Sequence, residues 1–162
     1  MSLEIYAVVR DLVSGKQAGF DFPISEENVL ERLGLNTEAK CELVITESSL
    51  PDILGISPSF DVVNDFAELT EDVEANLVKA VSEVMGYKAY DFVREDFNFD
   101  DCSLFYDVNT HRELGEYWIE ESGFENLSKD TLEQYFDCES YGRDIDIENQ
   151  GGFTDYGYLS IN

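Results

Sequence analysis

Asp96, Asn98 and Asp100 place oxygen ligands at alternate positions, and Asp107 follows eleven residues after Asp96, which is the ligand spacing of a calcium loop. Such a loop needs glycine at its sixth position and a bidentate glutamate at its twelfth, and this one has Asp101 and Asp107 there. Phe97, Phe99 and Leu104 fit packing better than a solvated ion loop. Asp144, Asp146 and Glu148 repeat the pattern and fail in the same way, with Asn149 where the glycine belongs. An acidic calcium- or ligand-binding module is therefore the alternative reading, and no metal site is assigned. His111 is the single histidine, so a nucleophilic triad would have to be built on it. Beside Thr110 it reads as a surface residue at a helix start. Cys41, Cys102 and Cys138 are odd in number and form no CxxC pair, as expected of three reduced thiols in a cytoplasmic protein. Carboxylate pairs suited to glycoside hydrolysis are bound to occur among 36 acids, so their presence discriminates nothing. With no glycine-rich phosphate loop either, the chain is read as a non-enzyme without a cofactor.

The elements that must position these side chains follow from periodicity. Leu3 to Val9 alternates as a strand, Asp11 to Gln17 forms a loop, and Ala18 to Phe22 returns as a hairpin partner. Ser25 caps a short helix with Glu26 and Glu27 in its first turn and Gly34 at its end, and Cys41 to Thr46 gives a third strand. This is a small ββαβ unit. Pro51, Gly55 and Pro58 mark a junction. Beyond it, helices are predicted over Phe60 to Glu68, from a Thr70 cap through Val73, Leu77, Ala80, Val81 and Val84 to Gly86, and over Tyr87 to Glu95. A strand at Ser103 to Val108 precedes a helix from a Thr110 cap to Ser122, stopped by Gly123. Another helix runs from Ser128 to Phe136, and Gly152 to Ile161 closes as a hairpin around Asp155-Tyr156-Gly157. The expected class is α+β: an elongated series of three small domains, over residues 1–50, 51–103 and 104–162.

Charge is the strongest feature of the composition. The 162 residues carry 10 Lys and Arg against 36 Asp and Glu, a net charge of −26, while 43% of residues are apolar. That apolar content supports a fold, and the charge excludes a basic patch for nucleic acid or docking on an anionic membrane. No stretch approaches the roughly 20 apolar residues that span a bilayer, and Met1 to Arg10, with Glu4, reads as a strand rather than a signal peptide. The excess thickens along the chain, from −5 over residues 1–50 to −11 over 51–108 and −10 over 109–162. Like charges at this density cost stability through self-repulsion, so a fold that keeps them has a use for them. Duplex DNA carries one charge per roughly 1.7 Å, which makes −26 comparable to the phosphates of about 13 base pairs. Side-chain anions held at such density suit a site built to receive DNA.

Leu132 to Ile145, reading LEQYFDCESYGRDI, resembles the antirestriction motif of the ArdA family, L-x-x-Y-x-D-Y-E-A-Y-[GA]-R-D-L, with Cys138 in place of its second Tyr and Ser140 in place of its Ala. Leu114 to Gly123 is similar to the family's helix of the type LAEYYIEETG. Ile5-Tyr6, Phe20 to Pro23 and Phe153 to Tyr158 resemble its first strands and last hairpin. The resemblance spans nearly the whole chain, closely over residues 112–145 and loosely over 47–105. It implies an elongated, three-domain, acidic homodimer, cytoplasmic and carried on a mobile genetic element. It further implies that the protein mimics bent B-form DNA, occupies the DNA-binding groove of type I restriction-modification enzymes, binds no nucleic acid itself and catalyses nothing. On this resemblance Leu132, Tyr135, Asp137, Glu139, Tyr141, Arg143 and Asp144 belong to the motif. Arg143, among so many acids, is expected to pair internally, and Tyr135, Phe136 and Tyr141 to be core. The mimic track is assigned to Glu71, Asp72, Glu74, Glu83, Asp91, Glu95, Asp96, Asp100 and Asp101 in the helical segment. It continues through Glu113, Glu116, Glu120 and Glu121, of which Glu113, Glu116 and Glu120 share one helix face. Gly115, Trp118, Ile119 and Ser122 are assigned to the dimer contact.

Overall fold

The alternation at the N-terminus dictates the first sheet. In strand β1 (Ile5–Asp11) the side chains of Ile5, Ala7, Val9 and Asp11 are buried while Tyr6 and Arg10 are exposed, the period of a strand with one face on a core. A computed structural model describes all residues except 39, 122–127, 129, 132, 133 and 135. Strand β1 pairs antiparallel with β2 (Gln17–Phe22), Ile5 facing Phe22 and Val9 facing Ala18, and on its other side with β3 (Leu43–Ser48), Val9 facing Ile45. The sheet order is β2-β1-β3. Helix α1 (Glu26–Arg32) is capped as its sequence requires, the Ser25 hydroxyl accepting from the Asn28 N–H at 3.2 Å, and Val29 and Leu30 are buried.

Helices α2 (Pro51–Leu54), α3 (Phe60–Leu69), α4 (Ala75–Met85) and α5 (Ala89–Glu95) follow, then a 3₁₀ turn at Phe99–Asp101. Ser59 caps α3 through the Val62 N–H. Thr70 does not open α4 as the sequence suggests. It ends α3, its hydroxyl donating to the Phe66 carbonyl at 2.9 Å, and α4 begins five residues later, behind its N-cap Glu74. Ala80 and Val81 of α4 are buried as expected, Val78 is buried beside them while Leu77 and Val84 are half-buried, and Gly86, at φ +69°, stops the helix in the left-handed conformation that glycine adopts without steric cost. Phe66, Phe92, Phe97 and Tyr87 form an aromatic cluster with ring centroids 5.5–6.1 Å apart.

Strand β4 (Cys102–Phe105) is shorter than anticipated. It joins β5 (Gly152–Thr154) and β6 (Gly157–Ile161) in an antiparallel sheet of order β4-β6-β5, so the terminal hairpin is present. Helices α6 (His111–Glu121) and α7 (Cys138–Glu148) pack on each other. Val108, Leu114 and Tyr158 form the buried core there, with Phe105, Tyr117, Trp118, Ile145 and Phe153 around it. The helix anticipated over Ser128 to Phe136 lies largely outside the described residues. The class is α+β, with seven α-helices and two antiparallel sheets among the described residues. The chain divides into two compact units, Met1–Ser82 with Gly86–Phe97, and Glu83–Met85 with Asn98–Asn162.

Candidate functional site

The described part of the motif is the start of α7, a helix that sequence reasoning missed. Asp137 is its N-cap: one carboxylate oxygen accepts from the Ser140 N–H at 3.0 Å and the other from the Ser140 hydroxyl at 2.7 Å. These bonds, the backbone one first, hold the Asp137 carboxyl below its ordinary range, and Arg143 adds to the effect. Ser140, where the family pattern has Ala, therefore gives the cap a second donor. Arg143 binds Glu139 one turn back, at 3.2 Å, the internal pairing expected of it. Asp144 is exposed, Tyr141 is half-buried and Phe136 is exposed, its ring meeting Tyr141 edge-on at 5.4 Å. Phe136 is thus not the core residue the sequence suggested, because it lies ahead of the cap and outside the face that α7 turns to α6. Leu132 and Tyr135 lie outside the described residues. The signal for α7 was present: Asp137 precedes Glu139 in the first turn, and Cys138, Tyr141, Gly142 and Ile145 recur at helical spacing.

Helix α6 is built to receive it. The Thr110 hydroxyl accepts from the Glu113 N–H at 3.1 Å, and the Glu113 carboxylate accepts from the Asn109 N–H at 3.1 Å, closing the helix start. Gly115 and Gly142 meet at the crossing. A Cβ on Gly115 would land on the Cys138 carbonyl oxygen, and one on Gly142 on the carbonyl oxygen of His111. Two glycines thus let the helix backbones approach more closely than any side chain permits. His111 is not a bare surface residue: its Nε2 lies 3.1 Å from an Asp146 carboxylate oxygen, and its ring meets Phe153 edge-on at 5.0 Å. Burial, and then Asp146, push the Tyr158 phenol up to about 12, so it stays protonated. Of the residues assigned to a dimer contact, Gly115 and Ile119 are buried within this unit, Trp118 is half-buried, and Ser122 lies outside the described residues.

The thirteen carboxylates assigned to the mimic track divide by the work they do. Glu71, Asp72, Glu74, Glu83, Glu95, Asp96, Asp100, Asp101, Glu120 and Glu121 are exposed, and Asp91, Glu113 and Glu116 are half-buried. The three half-buried ones are engaged locally. Asp91 accepts from the Lys88 N–H at 3.0 Å and lies 3.6 Å from Arg94, Glu116 binds Arg112 at 3.2 Å, and Glu113 holds the helix start. Arg94 also binds Glu95 at 3.1 Å. These cations are held by neighbours on their own helices, Arg94 by the exposed Glu95 among them, and with 36 acids to 10 Lys and Arg the chain keeps a strongly negative field.

Asn98 caps the 3₁₀ turn by accepting from the Asp100 N–H at 3.1 Å, and Asp96 takes a left-handed φ of 46° at the end of α5. Among the described residues no group of three or more His, Cys, Asp or Glu side chains is placed to hold a metal ion. None of the three cysteines is in a disulfide. Burial raises Cys102 to about 11, with Asp101 adding to it, and burial followed by Glu26 raises Cys41, which keeps both protonated and poorly nucleophilic. Among the described residues no helix is long and apolar enough to cross a membrane.

Among curated proteins no sequence matches the chain. The family model for ArdA, described as antirestriction protein (ArdA), matches residues 14–160 of the 162. That match begins after β1 and takes in the later strands to within a residue of the end of β6, the helix pair and the motif, and the chain belongs to the ArdA family of antirestriction proteins.

Proposed function

We propose that this antirestriction protein inhibits type I restriction-modification enzymes by occupying their DNA-binding groove as a mimic of B-form DNA. The observation that carries the reading is the set of ten exposed carboxylates on helical and turn backbone, beside arginines already bound to local partners. Anions fixed to secondary structure meet a groove lined with Lys and Arg by displacing the counterions that DNA itself displaces. No single acid dominates such an interaction, because each contributes a small and screened term. The active form is a homodimer in the cytoplasm, with domains over 1–50, 51–103 and 104–162, and it performs no catalysis. The α7 segment serves as an organiser of the motif: Asp137 and Arg143 spend their charge inside the helix. Gly115 and Ile119 are spent in the same way on the chain's own core, which leaves the dimer contact to other faces of α6.

The test is competition. The purified chain should displace a DNA duplex from a type I methyltransferase at low salt, and the displacement should weaken by orders of magnitude between about 50 and 200 mM salt. DNA binding that stays intact under molar excess of the chain at low salt would overturn the proposal. Displacement that is indifferent to salt would overturn the electrostatic mechanism.

A further inference from the structure

An antiparallel sheet with one face on a core ordinarily turns polar side chains to water on the other. The first sheet departs from that pattern. Ile5, Ala7, Val9 and Asp11 of β1 are buried, so Tyr6, Val8 and Arg10 share the opposite face. The pairing register sets Gly19 of β2 beside Val8 and Val44 of β3 beside Arg10 on that same face. A Cβ on Gly19 would strike the Tyr6 ring, so the ring lies across β2 where a side chain would otherwise stand. Val8 and Val44 are half-buried and Tyr6 is 49% exposed. The turn that continues β1 adds Leu12 at 52% and Val13 at 65%. It is a pinned turn: the Asp11 carboxylate accepts from the Val13, Ser14 and Glu42 N–H groups. The centre of the face is thus aliphatic and aromatic, and Arg10, Gln17, Asp21 and Glu47 surround it, the composition of a protein contact. On a chain with 36 acids, β1 turns none outward.

We propose that this face of the first sheet docks on a protein surface of the inhibited enzyme and supplies a selectivity that a track of charge lacks. The inference rests on the mimicry reading and deepens it. Carboxylates alone answer any groove built for phosphates, because DNA-binding proteins share that chemistry. An apolar contact discriminates by shape, and Tyr and Arg are the residue types that most often carry such contacts. Area decides against a second copy as the occupant. Three strands about 4.8 Å apart and seven residues long cover roughly 300 Å², well short of the about 800 Å² that each partner of a stable interface buries. A patch of this size holds only a partner already tethered elsewhere, and the exposed acids are the tether.

The test is the affinity of the full chain for a type I methyltransferase across a series of salt concentrations. Burying apolar surface releases no counterions, so its loss shifts the plot of log K against log salt without changing the slope. Tyr6→Thr combined with Leu12→Ser should weaken binding about tenfold at every salt concentration, on a line parallel to the wild type. Val8→Thr, nearly isosteric and suited to a strand, should weaken it about threefold in the same parallel manner and serves where the double variant melts early. Glu71→Gln with Asp72→Asn should instead flatten the slope. Towards an unrelated helix-turn-helix repressor, the sheet variants should bind within about twofold of the wild type. Unchanged affinity of both sheet variants for the methyltransferase overturns the proposal and leaves mimicry standing. Equal losses towards the repressor overturn the selectivity role. Sedimentation that shows a wild-type dimer and a monomeric sheet variant assigns the face to a second copy and overturns the choice of partner. A wild-type chain that never displaces DNA from the methyltransferase overturns the mimicry reading itself.

Discussion

Two glycines, Gly19 in strand β2 and Gly142 in helix α7, face the same geometric demand and answer it differently. A Cβ on either would overlap an oxygen atom. At Gly19 that oxygen is the hydroxyl of Tyr6, the far end of a side chain whose surface is 49% exposed. At Gly142 it is the backbone carbonyl of His111, in a helix fixed to a core by Leu114 and Ile119. A ring can swing into solvent at little cost, whereas a helix axis moves only by repacking everything beneath it. Close approach is thus a constraint in the helix pair and a convenience in the sheet.

The largest expected effect tests the first half of that contrast. Gly142→Ala should destabilise the C-terminal unit by about 2–3 kcal/mol, the range of overpacking against atoms that cannot move aside. Urea unfolding followed by Trp118 fluorescence measures it, and Gly115→Ala should behave alike because its Cβ meets the Cys138 carbonyl. The sign makes the test sharp. An alanine in an unobstructed helix interior is more stable than glycine by about 1 kcal/mol. Stabilisation by either substitution would therefore show that the two helices do not approach as described.

The same contrast explains what the sequence made legible. The first sheet is written in alternation: Ile5, Ala7 and Val9 face inward, the hairpin partner lies where turn residues place it, and Ser25 caps its helix as predicted. Those signals are local, and each residue type has one common use there. The helix pair is written in residues whose use depends on a distant partner. Gly142 reads as a helix breaker until Gly115 is set against it. His111 reads as surface until Asp146, 35 residues on, arrives beside it. Thr70 misled because a threonine before an apolar run suits the end of one helix as well as the start of the next, and only the Phe66 carbonyl decides between them. The acidity of the candidate site was plain from composition. Which acids are internal caps and which face solvent was not, since Asp137 and Asp144 are chemically alike and differ only in where α7 begins.

Carboxylates divide between the two units in a way that acid can resolve. Asp11 is buried at the β1–β2 turn and accepts four hydrogen bonds, from the Ser14 hydroxyl at 2.6 Å and from the N–H groups of Glu42, Ser14 and Val13. The Ser14 hydroxyl foremost, then the Glu42 N–H, lower its carboxyl to about 2. A carboxyl whose folded value lies below its unfolded one stabilises the fold fully above the unfolded value near 3.8 and loses that benefit as pH falls towards 2. Asp11→Asn should therefore lower the melting temperature at pH 7 and narrow the gap to the wild type between about pH 4 and pH 2. Acid also relieves the repulsion among the other acids, so the difference between the two curves is the quantity to read. Asp137→Asn should narrow its gap over the same low-pH limb, as its carboxyl is lowered too, but with unfolding of the C-terminal unit as the readout. A gap that stays constant from pH 7 to pH 2 would show that Asp11 acts through shape rather than charge.

The smallest effect completes the comparison at Gly19. Its partner across the ladder is Val8, its backbone is not in the left-handed region, and only the exposed Tyr6 ring occupies the space above it. Gly19→Ala gives up the contact of that ring with the strand. It also removes backbone freedom from the unfolded chain, which stabilises by about 0.4–1 kcal/mol where the native conformation suits alanine. The two contributions oppose each other, and the net change should stay within about 0.5 kcal/mol by urea unfolding followed by far-UV circular dichroism. Combining Gly19→Ala with Tyr6→Ala isolates the ring: with nothing left to displace, the alanine should become stabilising. A loss at Gly19 as large as that at Gly142, in both backgrounds, would mean that the sheet is as unyielding as the helix pair and that the identity of the overlapped atom does not set the cost.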